Sequence, residues 1–509
     1  MTTTEALPDS RNAMAKQSPM SLVGYGFGDF ACNLSIAMTT TFLLFYMTDV
    51  AGVSAAAVGT MFLIVRLWDA FTDLFAGRMV DKTMTRFGKF RPFLLWFGIP
   101  VLFMSFLNFN IPAPGIKWLG LFEWNLDTAG RLLYAYLAYA ILGLLYSLVN
   151  IPYGSLASAM TQSVNERAKL VAARGFGAAI GGVLLTYIIS PQIAALQKTA
   201  PKLAENADAA QQAAYNAAAL AYRQSLQSIF TQTTLWFVLI GSVAFFLTFW
   251  FCRESVVRVT PTVSIRDTFA TLKSNKALAI LCAASFFYLI AAFAVGGSTA
   301  YYAKYVMGDI GQTATMTLVN VGIALIITPL VPAMIKRLGK KTMFQYCGLF
   351  TIVGGVSLFF VPNGALVLAL ILLAIKGVGA SLINTVMFGL EADTVEYGEW
   401  KSGQRSEGAT YAIFSFVRKL TQSIGGAAGA WALAIGGYLS ATATNPNPVQ
   451  PESAIWAVKF TIGLFPAIMA AVAMLVFWKY PLTDKLFNQI RDENEARKLA
   501  LAAKGQQLY

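Results

Sequence analysis

Arg66, Asp69 and Asp73 stand three and four residues apart inside an otherwise apolar run from about Ser54 to Val80. That spacing sets all three on one face of a helix. The run is long enough to cross a bilayer, where each charge near the centre costs about 2.5–3.5 kcal/mol on insertion scales. Such groups face a partner or a water-filled cavity. A structural ion pair with Arg66 is one reading, but one arginine does not neutralise two carboxylates. An exchangeable cation or proton completes the balance, so the chemistry expected here is a cation site.

Other charged and polar residues fall at similar depth, counted at about 1.5 Å per helical residue. Asp29 and Asn33 lie in the first apolar span, Lys376 in the tenth, and Lys419 beside Arg418 in the eleventh. Tyr25, Asp29 and Asn33 repeat every fourth residue. So do Tyr146, Asn150 and Gly154, with Ser147 alongside, and Tyr411, Ser415 and Lys419. Each stripe puts hydrogen-bonding groups on one helix face, as a cavity for a polyhydroxyl ligand requires. Buried acids gather in the N-terminal half and buried bases in the C-terminal half. The bases either neutralise the acids or hold an anionic ligand. The acidic run Glu391 to Glu399, with Asp393 and Glu396, is expected at the end of span ten. There it either pairs with bases of the opposite half or is simply solvated.

Composition bounds the class. The 509 residues are only 12% charged with a mean hydropathy of +0.59, against about 25% charged in soluble domains. This is an all-α polytopic membrane protein. The net charge of +13 does not point to nucleic acid, because the basic residues sit in short loops between apolar spans. Cys32, Cys252, Cys282 and Cys347 lie in or beside those spans and read as small buried hydrophobes. With no histidine in the chain, Ser-His chemistry and HExxH zinc sites are excluded. No cofactor or resident metal is expected, and any transported proton must ride on a carboxylate.

Twelve spans are read at 20–48, 54–80, 92–111, 129–158, 167–194, 228–252, 276–306, 312–335, 342–361, 364–390, 406–438 and 455–479. Loops after even-numbered spans carry Lys82, Arg86, Lys89 and Arg91, then Arg167 and Lys169, then Arg253, Arg258 and Arg266, then Lys336, Arg337, Lys340 and Lys341. The positive-inside bias puts these loops and both termini in the cytoplasm, and no cleavable leader is read. The expected order is a cytoplasmic tail (1–19), a six-helix half (20–252), a central loop (253–275), a second six-helix half (276–480) and a cytoplasmic tail (481–509). An amphipathic surface segment is expected at Val263 to Lys276, a loose helix in the tail, and a helical element in the Ala-rich outer loop 197–227. The basic loops after spans two and eight echo one another, as in two-half transporter folds. Gly177-Ala-Ala-Ile-Gly181 and Gly425-Gly-Ala-Ala-Gly429 read as close helix-packing faces.

Four segments resemble the glycoside–pentoside–hexuronide:cation symporter family of the major facilitator superfamily. They are Arg66-Leu-Trp-Asp-Ala-Phe-Thr-Asp73 with Arg86-Phe-Gly-Lys-Phe-Arg-Pro92, Tyr146-Ser-Leu-Val-Asn-Ile-Pro-Tyr-Gly-Ser155, Glu391-Ala-Asp-Thr-Val-Glu-Tyr-Gly-Glu399, and Phe416-Val-Arg-Lys419. Within the family the chain is most similar to the glucuronide permeases. The resemblance implies a major facilitator fold of twelve helices in two halves. By analogy with melibiose permease it implies a cation site at Asp69 and Asp73, assisted by Ser147, with Thr72 a further oxygen ligand for sodium. It implies a sugar site that includes Asn33, Asn150, Arg174 and Lys419; the polar stripes and buried charges add Asp29, Tyr146 and Lys376 to the expected sugar site, and Arg66, Asp393 and Glu396 are expected to gate. Asn33 and Asn150 stand where melibiose permease has carboxylates, and Gly154 where it has a tryptophan. Two unit charges about 5 Å apart interact by roughly 3 kcal/mol at an effective dielectric near 20, so the neutralised site favours an anionic sugar.

The expected protein is therefore a transporter and not an enzyme, a monomer in the bacterial inner membrane. It would carry a glycoside, foremost a β-glucuronide, by symport with a proton or, alternatively, sodium. A neutral glycoside or pentoside symporter with sodium coupling, or an uncoupled facilitator or exchanger, are the alternatives. Gly26-Phe-Gly-Asp29 formally matches an intramembrane aspartyl protease motif, but the Tyr-Asp and Pro-Ala-Leu strings such an enzyme needs do not occur. A transporter-like sensor would carry a large soluble signalling domain, and none is read.

Overall fold

A computed structural model describes the chain except residues 1–15, 202–207, 256–272, 274, 404–406, 443–444, 446–447 and 504–509. Most of the N-terminal tail, Arg258, Arg266 and nearly all of the central amphipathic segment thus lie outside the described residues.

Twelve long helices follow in order: α1 (Pro19–Phe45), α2 (Ala55–Lys82), α3 (Arg91–Asn108), α4 (Thr128–Met160), α5 (Val164–Gln197), α6 (Ala209–Phe251), α7 (Lys276–Tyr305), α8 (Gln312–Leu338), α9 (Lys340–Phe359), α10 (Leu366–Ser402), α11 (Glu407–Ile435) and α12 (Glu452–Phe477). A thirteenth, α13 (Asp484–Ala503), follows them. Among the described residues, eleven helices are long and apolar enough to cross a membrane. The twelfth, α11, carries Arg418 and Lys419 amid polar residues, which lowers its hydropathy although its 29 residues reach about 43 Å at about 1.5 Å per residue. Among the described residues a small hairpin, β1 (Lys117–Trp118) and β2 (Phe122–Glu123), is paired antiparallel between α3 and α4. Its turn places Leu119 and Gly120 both at positive φ, the twist that suits a two-strand ribbon.

Two boundaries differ from the hydropathy reading. Helix α6 starts at Ala209, not near 228, because Asp208 caps it and Gln211 returns a hydrogen bond to complete a capping box. The Ala-rich segment is thus the projecting end of a span. Helix α10 runs through the acidic segment to Ser402 and stops at Gly403, which takes the left-handed conformation (φ +73°).

Two compact units emerge. The first comprises residues 1–260 with 296–317 and 430–455, the second residues 261–295, 318–429 and 456–509. In the first, α1 packs on α5 and α6, α3 on α4 and α6, and α2 on α4. The expected small-residue face is present: a Cβ on Gly177 would strike the Gly26 carbonyl of α1, and Gly181 faces Phe30. Tyr25 and Tyr153 stack at 4.8 Å, and each hydroxyl donates to the other residue's carbonyl. Gly28 is needed there because any Cβ would enter the Tyr153 ring. All four cysteines are buried and free.

In the second unit, α9 packs on α10 and α12. Gly425 packs against the Ile290 carbonyl of α7. The tail helix α13 is not loose: Ile490 is fully buried and Asn494 nearly so. Asn494 donates to the Glu396 carbonyl of α10 at 3.1 Å, and the Trp400 indole donates to Glu493 at 2.7 Å.

Candidate functional site

Helix α2 presents the opening residues as their spacing requires. The Arg66 guanidinium lies 3.4 Å from Asp69 Oδ2, both side chains less than one-fifth exposed. Arg66 also sits over the Tyr139 ring of α4, 5.7 Å from its centroid. On the other side, the Asp69 carboxylate rests against the Cα of Gly143 so closely that any Cβ there would overlap it. The Thr72 hydroxyl donates to the Asp69 carbonyl at 3.0 Å and lies 3.5 Å from the Ser147 hydroxyl. Ser147 in turn donates to the Gly143 carbonyl at 3.1 Å. Asp69, Thr72 and Ser147 are thus brought together, and Asp73, half-buried, lies one turn along α2.

A second cluster in the same unit joins α1, α4 and α5. Arg174 Nε lies 3.3 Å from Asp29 Oδ1, the arginine about one-third and the aspartate about one-tenth exposed. The guanidinium stacks 5.1 Å from the Tyr153 ring centroid. It passes over Gly154, where a Cβ would find Arg174 Nη1 at 3.7 Å. The absence of a side chain at Gly154 therefore leaves space that the guanidinium overlies. Asn33 spends one amide hydrogen on the Asp29 carbonyl at 2.9 Å. Asn150 is different, since its buried Oδ1 has no hydrogen-bond partner among the described residues. An orphaned buried acceptor costs on the order of 1–3 kcal/mol, which a ligand hydroxyl would recover. Tyr146 lies within electrostatic reach of both Arg66 and the Asp29–Arg174 pair, and so stands between the two clusters.

The remaining expected residues belong to the second unit. Lys376 is 7% exposed and donates to the Ile462 carbonyl at 2.6 Å. That carbonyl belongs to a π-turn, Phe460–Leu464, within α12. A π-turn leaves carbonyls short of their usual helical donors, and the ammonium supplies one, in place of the acid or ligand read from sequence. Lys419 is half-buried on α11, and its neighbour Arg418 stacks 4.7 Å from the Phe388 ring centroid. Asp393 receives Lys340 on both oxygens, at 2.6 and 2.8 Å. Its partner thus comes from its own half of the chain and not from the opposite half. Glu396 accepts a hydrogen bond from Asn494 of α13 at 3.4 Å.

Among the described residues, one deeply buried charged pair went unread in the sequence. Asp49 and Lys304 are 2.7 Å apart, each less than one-tenth exposed. They sit at the ends of α1 and α7, where a lone charge reads as an interfacial residue. The available signal was their opposite sign at the ends of corresponding helices of the two halves.

The family described as MFS/sugar transport protein matches residues 24–484. A glucuronide carrier protein homolog of Escherichia coli (strain K12) is 41% identical, covering 94% of this chain and 96% of its own. The isoprimeverose transporter of Lactiplantibacillus pentosus is 30% identical over 94% of this chain and 92% of its own. The crystal structure of a D-xylose-proton symporter shares the fold, with a TM-score of 0.56 at 14% identity over 91% of this chain and 96% of that one. The fold is therefore that of the major facilitators, the protein is a multi-pass membrane transporter and not an enzyme, and the chain belongs to the MFS sugar-transport family.

Proposed function

We propose that this transporter carries an anionic glycoside, foremost a β-glucuronide, together with a cation, foremost a proton. The observation that carries the reading is the Asp29–Arg174 pair beside the neutral Asn33 and Asn150. Asp29 contacts Arg174 through Nε, leaving the far edge of a one-third exposed guanidinium for a second carboxylate. Arginine binds carboxylates as a planar fork. The unpartnered Asn150 oxygen is matched to a sugar hydroxyl. Carboxylates at positions 33 and 150 would repel a uronate, and amides do not. The name of the glucuronide carrier homolog agrees with this choice.

The coupling ion belongs at Asp69. Its carboxylate lies in a largely buried setting against Gly143 with Arg66 on one oxygen, where a proton or cation taken up balances a negative charge held out of water. Thr72 and Ser147 add the oxygens that a sodium ion would use instead, and Asp73 is the second acid of the site. Binding of the anion and the cation together neutralises the buried charges and lets the transporter exchange between outward and inward states. The bias of basic residues to alternate loops supports cytoplasmic termini, in keeping with a place in a bacterial inner membrane.

Uptake into proteoliposomes of a glucuronide and of its neutral glucoside counterpart, under imposed proton and sodium gradients, tests the reading. Uphill accumulation of the glucuronide driven by the proton gradient is the expected result. Accumulation of the glucoside on a sodium gradient favours the neutral-glycoside reading, and purely downhill flux favours a facilitator.

A further inference from the structure

Beyond the cation and sugar clusters, the first unit holds a buried polar network at the end of α1. Helix α1 passes through a π-turn, Tyr46–Val50, whose extra residue brings Thr48 and Asp49 to face α7. Asp49 Oδ1 accepts from Lys304 at 2.7 Å. Asp49 Oδ2 accepts from Tyr438 at 2.8 Å and from Thr48 at 2.7 Å. The Thr48 hydroxyl lies 2.7 Å from that of Tyr301, and the Tyr438 hydroxyl lies 3.1 Å from that of Tyr305. The backbone joins in, since Ala441 N–H donates to the Thr48 carbonyl at 2.9 Å and Ser440 to that of Val53 at 3.1 Å. Behind the turn, Arg223 and Arg131 hold the Val50 and Ala51 carbonyls at 2.7 and 2.6 Å.

The partners of Asp49 on the far side of this network come from two segments, 296–317 and 430–455, which cluster with the first unit. The rest of α7 and most of α11 cluster with the second. The end of α7 and the segment just beyond α11 that carries Tyr438 are thus fastened to the end of α1 through polar groups, beside the edge-on contact of Phe45 with Tyr301. An apolar seam would hold such ends shut in water. A buried ion pair behaves differently, because the cost of stripping water from both charges offsets most of their attraction. Made and broken states then lie close in energy, and breaking only one partner leaves an uncompensated charge.

From this geometry we infer that Asp49 and Lys304 form a reversible latch that closes the α1 end of the transport pathway and must open once in each cycle. The inference rests on the transporter reading but not on the substrate or coupling ion. Neither residue touches the sugar or cation clusters, so both are positioning residues.

The test uses Ser298→Cys in the full-length transporter. Ser298 is fully buried on α7, its hydroxyl has no hydrogen-bond partner among the described residues, and it lies about 9 Å below Lys304 by helical rise. Its labelling by a small hydrophilic thiol reagent, without substrate, reports opening, and the four buried native cysteines set the background. Asp49→Asn and Lys304→Gln are each expected to raise the labelling rate by about tenfold or more. The double variant should rise no further than the worse single variant. Tyr438→Phe removes only one donor and should raise labelling by a smaller factor, which keeps the test alive if a charge variant fails to fold in thermal melting. Unchanged labelling in folded variants overturns the latch, as does a double variant whose effect is the product of the singles. If labelling behaves as expected while no glycoside is ever accumulated, the latch stands and the glycoside reading falls.

Discussion

Asp29 on α1 and Arg174 on α5 are joined at 3.3 Å beneath the stacked rings of Tyr25 and Tyr153. The aspartate fixes Nε of a guanidinium that already overlies Gly154, so a forked contact with a second carboxylate falls to the Nη1–Nη2 edge. Replacing Arg174 by Lys keeps the charge but loses the planar fork. Arg174→Lys is expected to weaken glucuronide binding by about tenfold, equal to about 1.4 kcal/mol, with little loss for the neutral glucoside. Calorimetric titration of both ligands against the purified transporter checks this, and equal losses would place Arg174 outside carboxylate recognition.

Gly143 gives a way to disturb Asp69 without touching its charge. The carboxylate occupies the space a Cβ would fill, so Gly143→Ala must push Asp69 off its place beside Arg66. Overpacking of this kind costs about 1–3 kcal/mol. Gradient-driven accumulation should fall toward the level of Asp69→Asn, which is expected to lose uphill transport while retaining some ligand binding. Accumulation at the parent level in the folded Gly143→Ala variant would show that the cation site does not depend on this packing.

The α2 face was legible in the sequence because the signal is local. Charges spaced three and four apart in an apolar run have one geometric meaning. The small-residue faces at Gly177 and Gly425 were legible for the same reason. Contacts between distant segments were not. For Lys376 the sequence leaves an acid of the opposite half or an anionic ligand as partner, and nothing in the residues 460–464 announces a π-turn whose carbonyl accepts its hydrogen bond. For Asp393 the sequence leaves a base of the opposite half or plain solvent as partner, because Lys340 is 53 residues away with no local sign of the pairing. Hydropathy also ends a span where polarity begins, so it stopped α10 near residue 390 although the helix runs on to Ser402.

Lys376 therefore tests ligand against staple. Its ammonium is committed to Ile462, and removal leaves a π-turn carbonyl without that donor. Lys376→Met, which keeps the length of the side chain, is expected to lower the melting temperature while leaving the glucuronide-to-glucoside preference within about twofold, less than about 0.5 kcal/mol. A preference collapsed by this change would return Lys376 to the sugar site.

The docking of α13 should depend on pH through Glu493. Hydrogen bonds from Gln489 and then Trp400 hold its carboxyl below the ordinary glutamate value. A carboxyl group whose pKa is lower in the docked state stabilises docking above its undocked pKa, and that stabilisation is lost as pH falls through the lowered value. Acidification from pH 7 toward 4 should therefore speed amide hydrogen exchange along α13, after correction for the intrinsic pH dependence of exchange. In Glu493→Gln the side chain no longer titrates, so the pH-dependent part should shrink. Gln489 lies on α13 itself and stays beside Glu493 when the helix undocks, so only the Trp400 bond links the lowered value to docking, and Trp400→Phe should remove most of the pH-dependent part. Exchange along α13 that follows the same pH course in all three proteins would show that Glu493 does not govern the contact with α10.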